Sequence, residues 1–328
     1  MSDAFESLIG GCAAMERLRD RARRIAETPL PVLIKGETGT GKEVLARAVH
    51  DASGRRGAFV AVDCAALTPS LVESELFGHV RGAFTGAARD RDGLVAAARD
   101  GTLFLDEIAE LPRALQTRLL RLVQEGTWRP VGADAHERAD VRIVAATWKD
   151  LQGEVREGRF REDLYHRLAV VELELPALRD RGEDVRLLAE HFLHTESKRL
   201  GRTPPKLSHR LFNHLDKLSW PGNVRELRHA MAYLAVVPQG ARVDIDDLPP
   251  RLRRLTAAPV LGPDVRTDLP YLEARRVWLD AFQARYVQAL LDEHGGNVSA
   301  AARAAGLDRR TIQRIRGRLL DADGQDDD

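Results

Sequence analysis

A single octapeptide, Gly36-Glu37-Thr38-Gly39-Thr40-Gly41-Lys42-Glu43, constrains this chain more than any other stretch. The run Pro31-Val32-Leu33-Ile34 before it is what a buried parallel strand needs, and Val44-Leu45-Ala46-Arg47-Ala48-Val49 after it reads as a helix. Strand, glycine loop and helix in that order let backbone N–H groups turn inward around phosphate oxygens. The helix N-terminus adds positive potential and Lys42 reaches the outer phosphates. One position departs from the usual form: Glu43 stands where Ser or Thr normally supplies a magnesium ligand.

A length of 328 residues suggests two or three domains. Fifty basic residues balance fifty acidic ones, so binding to nucleic acid or membrane has to be local. Cys12 and Cys64 have no metal or redox spacing and fit a reducing cytosol. No run of about 18 apolar residues exists, and Met1 to Glu6 lacks the basic start and apolar run of a signal peptide. The expectation is a soluble cytoplasmic protein without a membrane partner. The one biased segment is a short acidic end, Asp321 to Asp328.

Met15, Leu18, Ala22 and Ile25 recur at helical spacing and predict an amphipathic helix over Met15 to Ala26. Ala58 to Val62 reads as a second buried strand ending at Asp63. That aspartate is either a site residue at a strand carboxyl end or an acid capping the next turn. Thr102-Leu103-Phe104-Leu105-Asp106-Glu107 delivers two adjacent carboxylates to the end of another buried strand. Below a phosphate loop, Asp106 would hold magnesium through water and Glu107 would act as general base on an attacking water; the bland alternative is a helix-capping acid pair. Val141 to Thr147 predicts a further buried strand, and Val170 to Leu175 one at an edge, because its acids alternate. Strands interleaved with helices give a doubly wound α/β sheet over residues 1–175.

Residues 176–250 read as a small helical subdomain, broken by Trp220-Pro221-Gly222-Asn223, and residues 251–270, rich in proline, read as a linker. The end, 271–328, is all-α. A long amphipathic helix over Tyr271 to Glu293 is followed by an Ala-rich helix from Val298, a turn at Gly306-Leu307-Asp308, and a last helix from Arg309 to Leu319 with Asp308 as its N-cap. This is a helix-turn-helix pattern. Ile312, Ile315 and Leu319 face inward, while Arg310, Gln313, Arg314 and Gly317 share the opposite face. Six arginines and one acid lie between Arg303 and Arg318, which is either a solvated basic face or a surface for the DNA major groove. The residues expected at double-stranded DNA are Ser299, Arg309, Arg310, Thr311, Gln313 and Arg314.

Together these stretches resemble the sigma-54-dependent transcriptional activators, bacterial enhancer-binding proteins of the AAA+ class. The resemblance rests most on Glu73-Ser74-Glu75-Leu76-Phe77-Gly78-His79 followed by Gly82-Ala83-Phe84-Thr85-Gly86-Ala87. It continues through Phe160-Arg161-Glu162-Asp163-Leu164, His166-Arg167-Leu168 and Trp220 to Leu227. It spans about Ile9 to Pro250 and again about Phe282 to Leu319, the latter as a Fis-type DNA-binding end. By itself the glycine-bounded segment is a contact loop or a surface turn.

The resemblance implies an ATP-hydrolysing, magnesium-dependent activator that binds upstream DNA and remodels sigma-54 RNA polymerase holoenzyme to open promoters. Gly82, Ala83, Phe84, Thr85, Gly86 and Ala87 would touch sigma-54. Arg161 and Arg167 would reach the nucleotide of a neighbouring subunit in a ring, commonly a hexamer, and Arg225 would sense nucleotide from the lid. Glu43 is usual in that family. Two positions depart from it: Asp63 replaces an asparagine that reports nucleotide state to the glutamate, and Thr147-Trp148 replaces Thr-Asn, leaving any sensing hydrogen bond to Thr147. Asp63 beside Glu107 would be a like-charge pair unless one is protonated or magnesium intervenes. Only eight residues precede Ile9, so control by a regulator acting in trans or a truncated chain is expected. Two rivals stay open: a DNA-binding regulator with a vestigial ATPase, and a AAA+ remodeller of another protein.

Overall fold

The computed structural model describes residues 4–65, 69–84, 87–237, 240–253, 270–294 and 297–313. The chain divides into two compact units, Met1–Thr256 and Ala257–Asp328. The first is built on a five-stranded parallel sheet of β1 (Val32–Lys35), β2 (Phe59–Asp63), β3 (Thr102–Asp106), β4 (Arg142–Thr147) and β5 (Val171–Glu174), in the order β2-β3-β4-β1-β5. Because the chain leaves β1 for the far edge and returns, the carboxyl ends of β1, β3 and β4 lie side by side at a switch in strand order, the place where open α/β sheets bind ligands.

Alternation along the strands divides the core into two layers. Leu33, Leu103, Leu105, Ile143 and Ala145 meet Leu119, Phe160 and Leu164 on one face. Val32, Ile34, Phe104, Val144 and Ala146 meet Met15, Leu18, Leu45 and Val49 on the other. The last four belong to α1 (Ala13–Ala26) and α2 (Lys42–Asp51). Both strand faces are covered, which is why the central strands read as continuous apolar runs.

β2 corrects the sequence reading. Expected as buried, it is an edge strand with a partner on one side only, and Phe59, Val60 and Ala61 are partly or fully exposed. The Arg47 guanidinium covers the Phe59 ring at 4.3 Å, so side chains give it the shelter that a neighbouring strand gives the others. β5 is the opposite edge, as its alternating acids suggested.

The helical lid follows. Its main helices, α3 (Asp184–Arg199) and α4 (Asn223–Val236), pack around Leu188, Leu193, Leu227, Met231 and Leu234. Trp220 is 1 % exposed and its indole N–H donates to Leu215 O at 3.0 Å, which fixes the turn entering α4. The first residues of the stretch expected as a linker from residue 251 are helical. Pro250–Arg253 is one more helical turn whose Leu252 packs into the lid core, with His214 Nε2–H donating to Leu252 O; residues 254–269 lie outside the described part.

In the second unit, the helix Tyr271–Glu293 precedes the helix Val298–Ala305. Val287, Leu291, Ala301, Ala302 and Ile312 make its small core. The long helix is not amphipathic along its length as expected: Tyr271, Leu272, Trp278, Phe282 and Tyr286 are exposed, and among its described side chains the buried ones, Val287 and Leu291, lie in its last turns. Asn297 accepts from the Ser299 and Ala300 N–H groups, and Gly306 in the left-handed conformation ends the shorter helix. No described helix is long and apolar enough to cross a membrane.

Candidate functional site

The phosphate loop opens directly from β1. Gly41, at φ 108°, precedes α2 and leaves its first amides open. Lys42 is the first residue of α2 and only 6 % exposed; its ammonium donates to Gly36 O at 3.1 Å and Glu107 Oε1 at 3.2 Å. Glu107 follows β3 with φ 51°, and that turn swings its carboxylate off the strand axis toward Lys42. Its other oxygen accepts from the Trp148 N–H at 3.4 Å. Asp106 also accepts from the Glu107 N–H, at 3.0 Å. Burial first, and then the Glu107 charge, raise its pKa above the ordinary carboxylate value.

A cavity of about 670 Å³ lies over this cluster. The loop residues 38–43, Asp106 and Glu107 form its polar floor, Leu8, Ile9, Leu188, Phe192 and Val224 its apolar wall, and Arg181, Arg225 and Arg228 line the lid side. Phosphate-binding amides, two carboxylates, lid cations and an apolar wall in one cavity can accept a nucleoside polyphosphate.

Thr38, Gly39, Thr40, Gly41, Lys42, Glu43 and Arg225 line the cavity together, as expected. Glu43 points its carboxylate to Arg47 at 3.5 Å across one helical turn. Glu37 is turned away from the cradle. Arg179 first, and then the Asn223 amide, hydrogen-bond its carboxylate and hold it below the usual carboxylate range. Asp63 does not bond Glu107; it accepts from the Ala65 N–H at 2.9 Å and caps its own turn, the second of the two roles open to it. Thr147, fully buried, accepts from the Lys149 N–H at 3.0 Å, so the contact to the glutamate comes from the next backbone amide. Burial, and then the charges of Asp63, Asp106 and Glu107, push the Cys64 thiol up to about 12, which makes it a packing residue.

Arg161, the N-cap of the helix Glu162–Leu168, and Arg167, in its last turn, lie away from the cavity. Arg161 forms a bidentate pair with Asp163 and its N–H donates to the buried Gln116 Oε1. Arg167 is exposed and, among the described residues, has no ion pair. Both therefore face outward. In the loop Gly82 to Ala87, Phe84 is 43 % exposed with its ring edge-on to His79 at 5.0 Å, and the Ala87 N–H donates to Phe84 O; Thr85 and Gly86 lie outside the described residues. In the second unit Ser299, Arg309, Arg310 and Gln313 are exposed. Thr311 is tied to Asp308, its N–H to Oδ1 at 2.8 Å and its hydroxyl to Oδ2 at 2.7 Å, so it closes the cap as Asp308 was expected to open it. Arg314 lies outside the described residues.

Sequence reasoning missed the Trp148 amide, Arg179, Arg181 and Asn223. The first is backbone and carries no side-chain signal. Asn223 stood in the conspicuous Trp-Pro-Gly-Asn turn, where its left-handed φ of 50° suits asparagine.

The sigma-54 interaction domain matches residues 8–174, the AAA+ ATPase lid domain residues 179–260, and the bacterial regulatory protein, Fis family, residues 279–316. The chain is 44% identical over 319 residues to the anaerobic nitric oxide reductase transcription regulator NorR of Enterobacter sp. (strain 638), covering 96% of this chain and 63% of that protein. It is 48% identical over 251 residues to the putative uric acid sigma-54-dependent transcriptional regulator UacR of Escherichia coli (strain K12), covering 76% of this chain and 42% of that one. The chain thus spans less than two thirds of the length of these relatives. Among solved structures, NtrX from Brucella abortus in complex with ADP superposes with a TM-score of 0.71 at 35% identity, over 95% of this chain and 70% of that one. NtrX in complex with ATP superposes with a TM-score of 0.68.

Proposed function

This chain belongs to the sigma-54 interaction family of AAA+ regulators, with a Fis-type DNA-binding end, and from that premise we propose that it is an ATPase that remodels sigma-54 RNA polymerase holoenzyme from an upstream DNA site. The observation that carries this reading is the meeting of Lys42 and Glu107 at 3.2 Å, with Asp106 beside them, on the floor of a cavity roofed by Arg225. The NtrX structures in complex with ADP and ATP support an adenine nucleotide as the ligand. The working division is an ATPase body over 1–175, a lid over 176–250, and a DNA-binding domain over 271–328.

The chain's groups divide the work by position. The loop amides and Lys42 take the phosphates, and Lys42 moves its charge from Glu107 to the outer phosphate oxygens. Glu107, released, accepts the proton of the attacking water, while the Trp148 N–H keeps its far oxygen in place. Asp106 is the residue that would hold Mg²⁺ through water. A half-buried carboxylate with a like charge next to it fits a cation. Bound there, the ion would neutralise charge on the phosphates. Among the described residues no group of three or more His, Cys, Asp or Glu could hold a metal alone, so its remaining ligands would be phosphate and water oxygens. Arg225 senses the nucleotide from the lid. Arg161 and Arg167 face outward to serve a neighbouring subunit in a ring, a hexamer in this reading, where a cation supplied in trans ties hydrolysis to assembly.

The Phe84 loop is then the tool applied to sigma-54, and the exposed Arg309, Arg310 and Gln313 hold the protein on duplex DNA. The test is Glu107→Gln. Gln keeps a hydrogen-bonding oxygen for Lys42 but is no base, so nucleotide binding should survive while turnover falls by roughly 10²–10⁴. Unchanged turnover would remove Glu107 from the mechanism.

A further inference from the structure

Four consecutive residues of the phosphate loop are gripped from the lid side. Glu37 is held by Arg179 through both carboxylate oxygens, at 2.5 and 3.0 Å, and by Asn223 Nδ2 at 3.0 Å. The same Nδ2 donates to Thr38 O at 3.1 Å. The Arg225 N–H donates to Gly39 O at 3.2 Å, and Arg181 Nη2 to Thr40 O at 2.9 Å. Gly39, at φ 81°, lies so close to Gly222 that a β-carbon would collide with Gly222 O. Asn223 is the hub. It is fully buried, and its Oδ1 accepts from the Leu178 N–H at 2.8 Å, so one amide joins the loop, the turn Leu178–Asp180 and the start of α4.

A peptide plane carries its carbonyl and its N–H on opposite sides. When the lid takes the carbonyls of Thr38, Gly39 and Thr40, the N–H groups of Gly39, Thr40 and Gly41 are thereby aimed, and those of Gly39 and Gly41 meet no backbone acceptor among the described residues. The cradle's shape is therefore tied to the lid's position. We propose that Asn223 is a positioning residue through which the lid sets the conformation of the phosphate loop, so that lid rotation and phosphate binding are one coupled motion. This rests on the ATPase reading for its consequence, but the grip itself can be measured without nucleotide.

The experiment uses the full chain and the variants Asn223→Gly, Glu37→Gln and their combination. Glycine keeps the left-handed backbone and removes only the amide. Amide hydrogen exchange is read first, without nucleotide. Asn223→Gly should speed exchange at the hydrogen-bonded N–H groups of Thr40 in the loop and Arg225 in the lid by about tenfold or more while the strands of the sheet keep their protection. Affinity for a fluorescent ATP analogue is read next. Each single variant should weaken it about tenfold, and the double variant by less than the product of the two, since both changes remove the shared Asn223–Glu37 bond. Unchanged loop exchange in Asn223→Gly, exchange raised uniformly through the domain, or losses that multiply in the double variant would overturn the proposal. A wild-type chain that binds no ATP analogue would instead sink the ATPase reading, and loop exchange would still decide the grip.

Discussion

At the scale of single residues, the acid pair after β3 has two different electrostatic fates. Glu107 shares the Lys42 ammonium, whereas Asp106 has burial and a like charge against it. Its folded pKa lies above the unfolded value, so the folded chain binds more protons than the unfolded one between the two. Stability falls as pH rises through that window and stays reduced above it. In the absence of nucleotide and magnesium, Asp106→Asn should therefore raise Tm at pH 7 by about 2–4 °C. That gain should vanish as the pH drops below the ordinary carboxylate value of 3.8. A variant that melts no higher than the parent at pH 7 would mean Asp106 already has a compensating partner. The placing of these acids beside the phosphate loop was legible in the sequence because an apolar strand runs straight into Asp106 and Glu107. What Asp63 does was not. A strand-terminal acid can reach across the sheet or back to its own turn, and only the backbone after Val62 decides that it caps Ala65.

At the scale of elements, the sheet's central strands and the loop helix could be read directly, since burial on both faces leaves unbroken apolar runs. Edge position could not be read for β2, whose Phe59 to Val62 are as apolar as a central strand and whose Phe59 ring is covered by Arg47. The grip of the lid on the loop was equally hidden, because Arg179, Arg181 and Asn223 lie more than 100 residues from the carbonyls and carboxylate they hold. The turn before the last helix was legible, as glycine then aspartate is a stop followed by a start. There Asp308 holds Thr311 by two hydrogen bonds, which lower the Asp308 pKa, the hydroxyl's contribution first. Asp308→Ala should fray the first turn carrying Arg309 and Arg310 and weaken binding to duplex DNA at low salt by about three- to tenfold. ATP turnover should not change. Unaltered DNA affinity would place the contact elsewhere.

At the scale of the whole molecule, nucleotide chemistry, outward arginines, an exposed aromatic loop and a basic helix are separate features that one mechanism joins. Arg161 is paired with Asp163 in an exposed setting, where an ion pair contributes little and, in the proposed ring, would be exchanged for a neighbouring subunit's phosphate. Phe84 stands in a loop closed at its base by the Gly82 N–H to Ala87 O bond and tied to the α/β body by the Val80 N–H to Val131 O bond, a path for force in the proposed function. In the proposed function, ATP closed between subunits drives this loop onto sigma-54. The most direct measurement mixes the purified protein with sigma-54 and an ATP transition-state analogue and looks for a complex on a native gel. A stable complex that depends on the analogue is the predicted result. Steady ATP hydrolysis with no complex under any nucleotide condition would contradict the claim and direct the ATPase to a different protein target.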